Sequence, residues 1–333
     1  MALYVHGVGH FHPDNEISNR FLEELDIGTA ESWILERVGI RSRRTVLPLD
    51  YIRETRNADL RAAPEAAEYG NTELGARAAG LALERAGIAP GDVGQLVCGS
   101  SAPDSLAPAE ACTLARELGI EAPAFDLNSA CTSFWLALHL LSGMRPERLP
   151  DFVLVVSVDS LTKVVDYRDR AAAVLWGDGA AAAVVSPRIP APAQVLATDV
   201  ASAPADAAKV RVLRERHFVQ EGRQVQMFAI KKSAEGFEAL RGEHGGGPLH
   251  FVGHQANLRV LEAVCARCGV APGYHHANVE FYGNTGCAVA PSVLSMSWEK
   301  WRAGDAVGLV GVGAGLTWAR ALLRFDGDGG ADA

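Results

Sequence analysis

The sequence predicts an α/β fold built from two related halves, on three observations. Short apolar runs rich in valine, glycine and alanine recur along the chain, as strands buried on both faces require. Stretches with apolar residues at helical spacing lie between them, and strands alternating with helices give α/β layers. The third observation is an internal echo. ERAGIAPGDVGQLVCGSSA runs from helix end through glycine and an APG turn to a strand, and CARCGVAPGYHHANVEFYGNTG repeats that order; WGDGAAAAVVS and GVGAGLTWARALLRF both set two glycines just before an apolar strand. The halves are placed at residues 1–188 and 189–333, with the Pro- and Ala-rich SPRIPAPAQ, 186–194, as their junction. With 333 residues, 48% of them apolar, the chain is long enough for the halves to share one continuous core.

In order, LYVHGVG reads as the first buried strand, and ESWILERVGI as an amphipathic run carrying Trp33 and Arg37. NTELGARAAGLALERAGI reads as a helix with Asn71 and Thr72 as predicted caps and a stop at Gly87. QLVCGSSA is a strand, and the strand-like AFDLNSA leads into CTSFWLALHLLSGM, read as a buried helix that begins at Cys131. FVLVVSVDS, AAAAVVS, HFVGHQA and VGLVGVGAG complete the buried strands, with NLRVLEAVCARCGV as a helix following HFVGHQA.

The net charge of −9 and a pI of about 5.6 argue against a nucleic-acid-binding surface. MALYVHGVGHFHP has neither a basic leader nor a long apolar stretch, so neither a signal peptide nor a membrane span is expected, and the cytoplasm is the expected compartment. Six scattered cysteines then read as reduced thiols. Cys265 and Cys268 alone are closely spaced, a weak zinc signal without a second pair, and His10 and His12 in HFH read as structural.

Three segments carry candidate chemistry: NSACTSF around Cys131, VGHQANLRV around His254 and YGNTGCAVAPS around Asn284. A thiol at a helix start meets unpaired backbone N–H groups and the positive end of the helix dipole, which lower its pKa toward thiolate. His254 follows a strand and falls at its end, while Asn284 occupies a glycine-flanked turn that exposes its amide. Each residue taken singly is more often structural: a core thiol, a core histidine, a turn asparagine.

ESWILERVGIRSRR, GSSAPDSLAPAEAC, LNSACTSF, VLWGDGAAAAVV, GHQANLRV, YGNTGCAVAPS and GVGAGLTWARALLRF occur in an order that resembles the β-ketoacyl-acyl carrier protein synthase III family of the thiolase superfamily, over nearly the whole chain. GHQANLRV followed by YGNTG is the most specific part. The resemblance implies a five-layered α-β-α-β-α thiolase fold and a homodimer. It implies acyl transfer from acyl-coenzyme A to Cys131, then decarboxylative Claisen condensation with malonyl-acyl carrier protein to a 3-oxoacyl product, in fatty-acid initiation or a related pathway. No metal or resident cofactor is implied, coenzyme A thioester being substrate.

By the same resemblance, Cys131, His254 and Asn284 form the catalytic triad. The thiolate accepts the acyl group, and His254 Nε2 and the Asn284 amide stabilise enolate charge on the malonyl thioester. Backbone N–H groups of Cys131 and Gly315 would form the oxyanion hole. Trp33 and Arg37 would sandwich the adenine of coenzyme A, Lys163 would contact a phosphate, Asn257 the pantetheine arm, and Arg259 an acidic carrier protein.

Several positions depart from the family pattern. Thr132 and Ser133 stand where a glycine is common, which predicts a different pocket shape beside Cys131. A longer segment at about 45–70 is expected to reshape the acyl tunnel or the dimer surface, and Ala107, next to Leu106, to enlarge the acyl pocket. These departures keep open an acyltransferase or atypical condensing enzyme of secondary metabolism with a non-malonyl acceptor. A noncatalytic coenzyme A-binding partner subunit is a further alternative. Cys287, three residues past Asn284, is the rival thiol.

Overall fold

The computed structural model describes residues 3–213 and 216–326. Nine strands form one sheet in the order β11 (His250–Gly253), β12 (Ala306–Gly313), β13 (Thr317–Phe325), β8 (Ala193–Ser202), β1 (Leu3–Phe11), β7 (Asp178–Ser186), β6 (Phe152–Ser160), β4 (Val93–Gly99) and β5 (Ala124–Asp126). Two short ribbons, β2 (Asn15–Ser18) with β3 (Ser42–Thr45) and β9 (Val210–Leu213) with β10 (Arg216–Gln220), lie outside it. Five strands come from the first half of the chain and four from the second. They meet where β1 pairs antiparallel with β8, Leu3 opposite Val195 and Val5 opposite Ala193.

The side-chain period of two sorts the strands into two apolar layers. On β6, Val153 and Val155 enter one cluster and Leu154 and Val156 the other, all buried. Into the first cluster pack Phe134, Trp135 and Leu138 of helix Ser133–Gly143 with Val289 and Val293 of helix Val289–Met296. Both helices touch strands of both halves, so they form the middle layer. Helices Asn71–Ala86 and Glu110–Leu118 cover the outer face of the first half, and helices Gly222–His244 and Leu258–Cys268 that of the second. The sequence of layers is helix, sheet, helix, sheet, helix. Gly311 is required by this packing, because a Cβ there would stand 3.0 Å from the Trp135 ring.

The predicted strands and long helices are present, with local corrections. Asn71 and Thr72 do not cap their helix; Gly70 is the cap residue, and the carboxylate of Asp104 accepts from Asn71 N at 2.6 Å. A cap supplied from 33 residues away leaves no local sequence signal. The stop at Gly87 holds, with φ +66° in the left-handed region. The helix predicted to begin at Cys131 begins at Ser133, with Thr132 as its cap residue. The segment at about 45–70 contains helices Leu49–Thr55 and Ala63–Ala66. It is tied down by Asn57, whose buried amide donates to Lys163 O and Val165 O at 2.9 Å each.

Candidate active site

Cys131 sits on a constrained turn. Ala130 adopts φ +49°, a conformation that costs a non-glycine residue about 1 kcal/mol. Its carbonyl accepts from Ser133 N at 3.0 Å and Ser133 Oγ at 2.7 Å. Thr132 Oγ1 pairs with Ser129 Oγ at 2.8 Å and with Thr317 Oγ1, on β13, at 2.9 Å. Thr132 and Ser133 are therefore buried beneath the turn and line no cavity with Cys131, contrary to the expectation that they reshape the pocket. The sheet accommodates Ser133 at Gly99, where a Cβ would lie 2.6 Å from Ser133 Cβ.

The fold brings Cys131, His254 and Asn284 to the wall of one cavity of about 60 Å³, with Gly313 at the end of β12 and Ala314 and Leu316 of the loop between β12 and β13. His254 is delivered by the end of β11, its N–H donating to Val310 O on β12 at 2.8 Å. Its ring is buried, and among the described residues Nδ1 has no hydrogen-bond partner. Asn284 is fixed through its backbone, donating to Leu175 O at 2.8 Å and accepting from Gly177 N at 3.1 Å. Its Oδ1 accepts from Gly286 N at 3.1 Å, which leaves the amide NH2 as the donor the side chain offers the cavity.

The expected low-pKa thiolate is contradicted. Cys131 keeps some exposure as a residue, yet burial of the thiol, with the Asp159 carboxyl second, pushes it up to about 12 against the pull of the N–H groups of Cys131 and Ala314. Desolvation outweighs the helix-start effect because the helix begins two residues later. Burial alone pushes His254 down to about 4. At neutral pH the two rest as thiol and neutral imidazole, and among the described residues no carboxylate bonds Nδ1 to raise the basicity of the ring. Ala314, rather than Gly315, lines the cavity beside the thiol, which shifts the expected oxyanion-loop contact by one residue.

A wider cleft of about 490 Å³ shares Trp176, Gln220, Val225, Ala229, Ala256 and Asn284 with the inner cavity, so the two adjoin. Trp33, Arg37 and Asn257 line this cleft. Asn257 also caps helix Leu258–Cys268, accepting from Val260 N at 3.0 Å. Lys163 lies elsewhere: it is buried, ion-paired with Asp104, and faces a separate cavity of about 380 Å³ that includes Leu60, Pro64 and Leu106. Besides Arg37, the cleft contains Arg170, whose guanidinium lies 4.9 Å from the Trp33 ring centroid. Sequence reasoning passed over it inside the charged run YRDR. Arg259 is spent on structure, donating to Leu35 O at 2.6 Å and Glu36 O at 3.0 Å and pairing with Glu262 at 2.7 Å.

Asp159, also missed, is buried at the end of β6 and accepts from Ser101 N at 2.7 Å and Cys287 N at 2.8 Å. It thus joins the loop after β4 to the turn after Asn284. Cys287 is sealed beneath that turn, its thiol donating to Gly99 O at 3.2 Å, and unlike Cys131 it does not line the cavity, so it is unsuited to the rival role. Leu106 and Ala107 are exposed and do not line the Cys131 cavity. Among the described residues no group of three or more His, Cys, Asp or Glu side chains is arranged to hold a metal, Cys265 and Cys268 included. None of the described helices is long and apolar enough to cross a membrane.

Comparison with known proteins adds an independent line. Residues 125–204 match the family described as 3-oxoacyl-[acyl-carrier-protein (ACP)] synthase III, and residues 249–325 match its C-terminal region. The chain is 34% identical to the β-ketoacyl-[acyl-carrier-protein] synthase III of Gloeobacter violaceus, over 97% of this chain and 98% of that one. Among solved structures it resembles the 3-oxoacyl-[acyl-carrier-protein] synthase III of Aquifex aeolicus, with TM-score 0.86 and 27% identity over 97% of this chain and all of that one. The corresponding enzyme of Pseudomonas aeruginosa gives TM-score 0.84 and 30% identity over 98% and 99%.

Proposed function

The chain belongs to the 3-oxoacyl-[acyl-carrier-protein] synthase III family, and on that premise we propose how its own residues divide the reaction. It is a condensing acyltransferase with a thiolase-like fold. The observation that carries the residue assignment is the convergence of Cys131, His254 and Asn284 on one cavity that adjoins the Trp33 cleft.

In the first half-reaction the Cys131 sulfur attacks the carbonyl of acyl-coenzyme A. The carbon–sulfur bond to coenzyme A breaks, and the thiol proton ends on the departing coenzyme A sulfur. Because Cys131 rests protonated, that proton must leave as the bond forms, and the neutral imidazole of His254 is the base in the same cavity. The N–H groups of Cys131 and of the Ala314–Gly315 loop face the developing oxyanion.

In the second half-reaction a malonyl thioester enters with its carbonyl against the His254 N–H and the Asn284 amide. Loss of carbon dioxide leaves the electron pair on the α-carbon, delocalised into that carbonyl. A neutral imidazole keeps one ring N–H, which is the donor this role needs. The carbanion attacks the acyl-cysteine, forming the 3-oxoacyl product and returning the Cys131 sulfur, which takes up one proton. Arg37, Arg170 and Trp33 hold the phosphate and adenine end of coenzyme A, with Asn257 along its arm.

The finer assignments follow the same reading: malonyl-acyl carrier protein as extender, a homodimeric cytoplasmic enzyme, no resident cofactor, and halves divided at 188/189 between β7 and β8. Incubation with acyl-coenzyme A is expected to add one acyl group, mapped to the peptide containing Cys131. Malonyl-acyl carrier protein is then expected to release carbon dioxide and a 3-oxoacyl product. Wild-type condensation by Cys131→Ala would sink the assignment. Acyl loading without carbon dioxide release would favour a non-malonyl acceptor.

A further inference from the structure

Arg43 is fully buried, and the guanidinium makes its bonds to oxygens that carry no formal charge. Nε and Nη2 both donate to Val174 O, at 3.0 and 2.5 Å, and Nη1 donates to Asn19 Oδ1 at 2.6 Å. Asn19 is itself buried and anchored, donating to Ile40 O at 2.8 Å. Burial lowers Arg43 to about 9, so the side chain stays protonated at neutral pH. A buried cation with no carboxylate partner is an expensive way to fill space, and an apolar side chain of similar length would fill it at lower cost.

What Arg43 holds is the turn after helix Arg170–Ala173 that in turn holds Asn284. Val174 O is gripped from two nitrogens of the fork. The next residue, Leu175, accepts from Asn284 N, Trp176 bridges to Asn284, and Gly177 donates to Asn284 O. The Arg43 stem also presses on the other side of the same turn. Gly283 has φ +68°, and a Cβ there would lie 2.8 Å from Arg43 Cγ and 2.9 Å from Leu175 O. The turn is closed at its far end by Asp159, which a Cβ on Gly286 would meet at 2.0 Å. Both glycines flanking Asn284 are thus explained by a buried charged side chain packed beneath them, a cation before and an anion after.

We propose that Arg43 is a positioning residue for Asn284, fixing through Val174–Gly177 and Gly283 the place of the amide that stabilises the malonyl-derived enolate. This rests on the division of labour under Proposed function. Its consequence is selective: the first half-reaction, which uses Cys131 and the oxyanion loop, does not need the Asn284 amide, whereas decarboxylation does.

The test uses Arg43→Lys and Arg43→Met in the full-length enzyme, with acyl loading followed by intact mass and malonyl-acyl carrier protein decarboxylation followed by carbon dioxide release. Loading is expected within about 2-fold of wild type, while the kcat of decarboxylation falls about 10- to 100-fold at little-changed KM for the malonyl thioester. Arg43→Lys, which keeps the charge but loses the fork, is expected to recover only part of the loss. Adding Asn284→Ala to either variant is expected to cost less than Asn284→Ala costs alone, because the amide is already misplaced. Gly283→Ala, which leaves Arg43 in the sequence but sets a Cβ 2.8 Å from its Cγ, is expected to show the same selective loss and stands in if an Arg43 variant does not fold. The proposal is overturned if loading and decarboxylation fall together, if neither falls in a folded variant, or if the losses with Asn284→Ala simply add. Wild-type protein that fails to load Cys131 or to decarboxylate malonyl thioester overturns the functional reading instead.

Discussion

Arg170 lays its guanidinium 4.9 Å from the centroid of the Trp33 ring in the cleft that adjoins the Cys131 cavity. Two side chains 137 positions apart in sequence thereby set a delocalised cation over a π face, a surface of opposite electrical character. Such a surface suits an aromatic base bearing phosphates.

Arg170→Ala is expected to raise KM for acyl-coenzyme A about 2- to 5-fold with kcat nearly unchanged, the size of an exposed stacking contact. Lys163→Met should leave that KM alone, because Lys163 is buried against Asp104 outside the cleft. Steady-state kinetics on the two variants separate the assignments, and a KM effect confined to Lys163→Met would restore the original one.

The thiol of Cys131, held near 12, sets a pH signature. Alkylation by iodoacetamide in the free enzyme is expected to be slow at pH 7 and to climb steadily through pH 10 without a plateau. A thiolate–imidazolium pair would instead react fast and independently of pH from about 6 upward. Rates measured by intact mass, with the adduct mapped to Cys131, decide between the two.

His254→Ala and Asn284→Ala are expected to part the half-reactions differently. Asn284→Ala should keep acyl loading and lower malonyl decarboxylation about 10²- to 10³-fold, the usual effect of losing one preorganised donor. His254→Ala should depress both, as the residue serves as base in the first step and donor in the second. Equal losses in both steps for Asn284→Ala would contradict the division.

Acid should destabilise the fold in a defined window. Burial holds His12 at about 3 and His254 and His276 at about 4, against 6.5 when exposed. Between pH 6.5 and about 4 the unfolded chain therefore binds protons the folded chain refuses, and stability falls as pH falls. Asp178, raised to about 6 by burial, works in the opposite direction and offsets only part of this. Thermal unfolding midpoints are expected to drop between pH 7 and pH 5; a flat or rising midpoint refutes the reading.

Cys131, His254 and Asn284 were legible because each lies in a short segment whose residue order is distinctive, and the strands because two-sided burial writes itself as runs of small and β-branched residues. Arg170, Arg43 and Asp159 were not. Arg43 stands among arginines at 41, 43 and 44, of which it alone is fully buried, and nothing local separates it from its solvated neighbours. Asp159 reads as the polar end of a strand until the loops that surround its carboxylate are brought in. Lys163 misled for the converse reason, since its partner Asp104 is 59 positions away.

By itself the sequence determined the alternation of strands and helices, the two-halved plan and the identity of the reacting groups, because these depend on side-chain period and on residue types in contiguous segments. Only the tertiary structure decided their protonation and their neighbours. Desolvation, which depends on everything packed around a group, outweighs a local helix-start effect at Cys131 and keeps His254 neutral. The cap on Asn71, the cation on Trp33 and the clamp beneath Asn284 all come from residues remote in the chain, and distance in sequence carries no record of them until the chain folds.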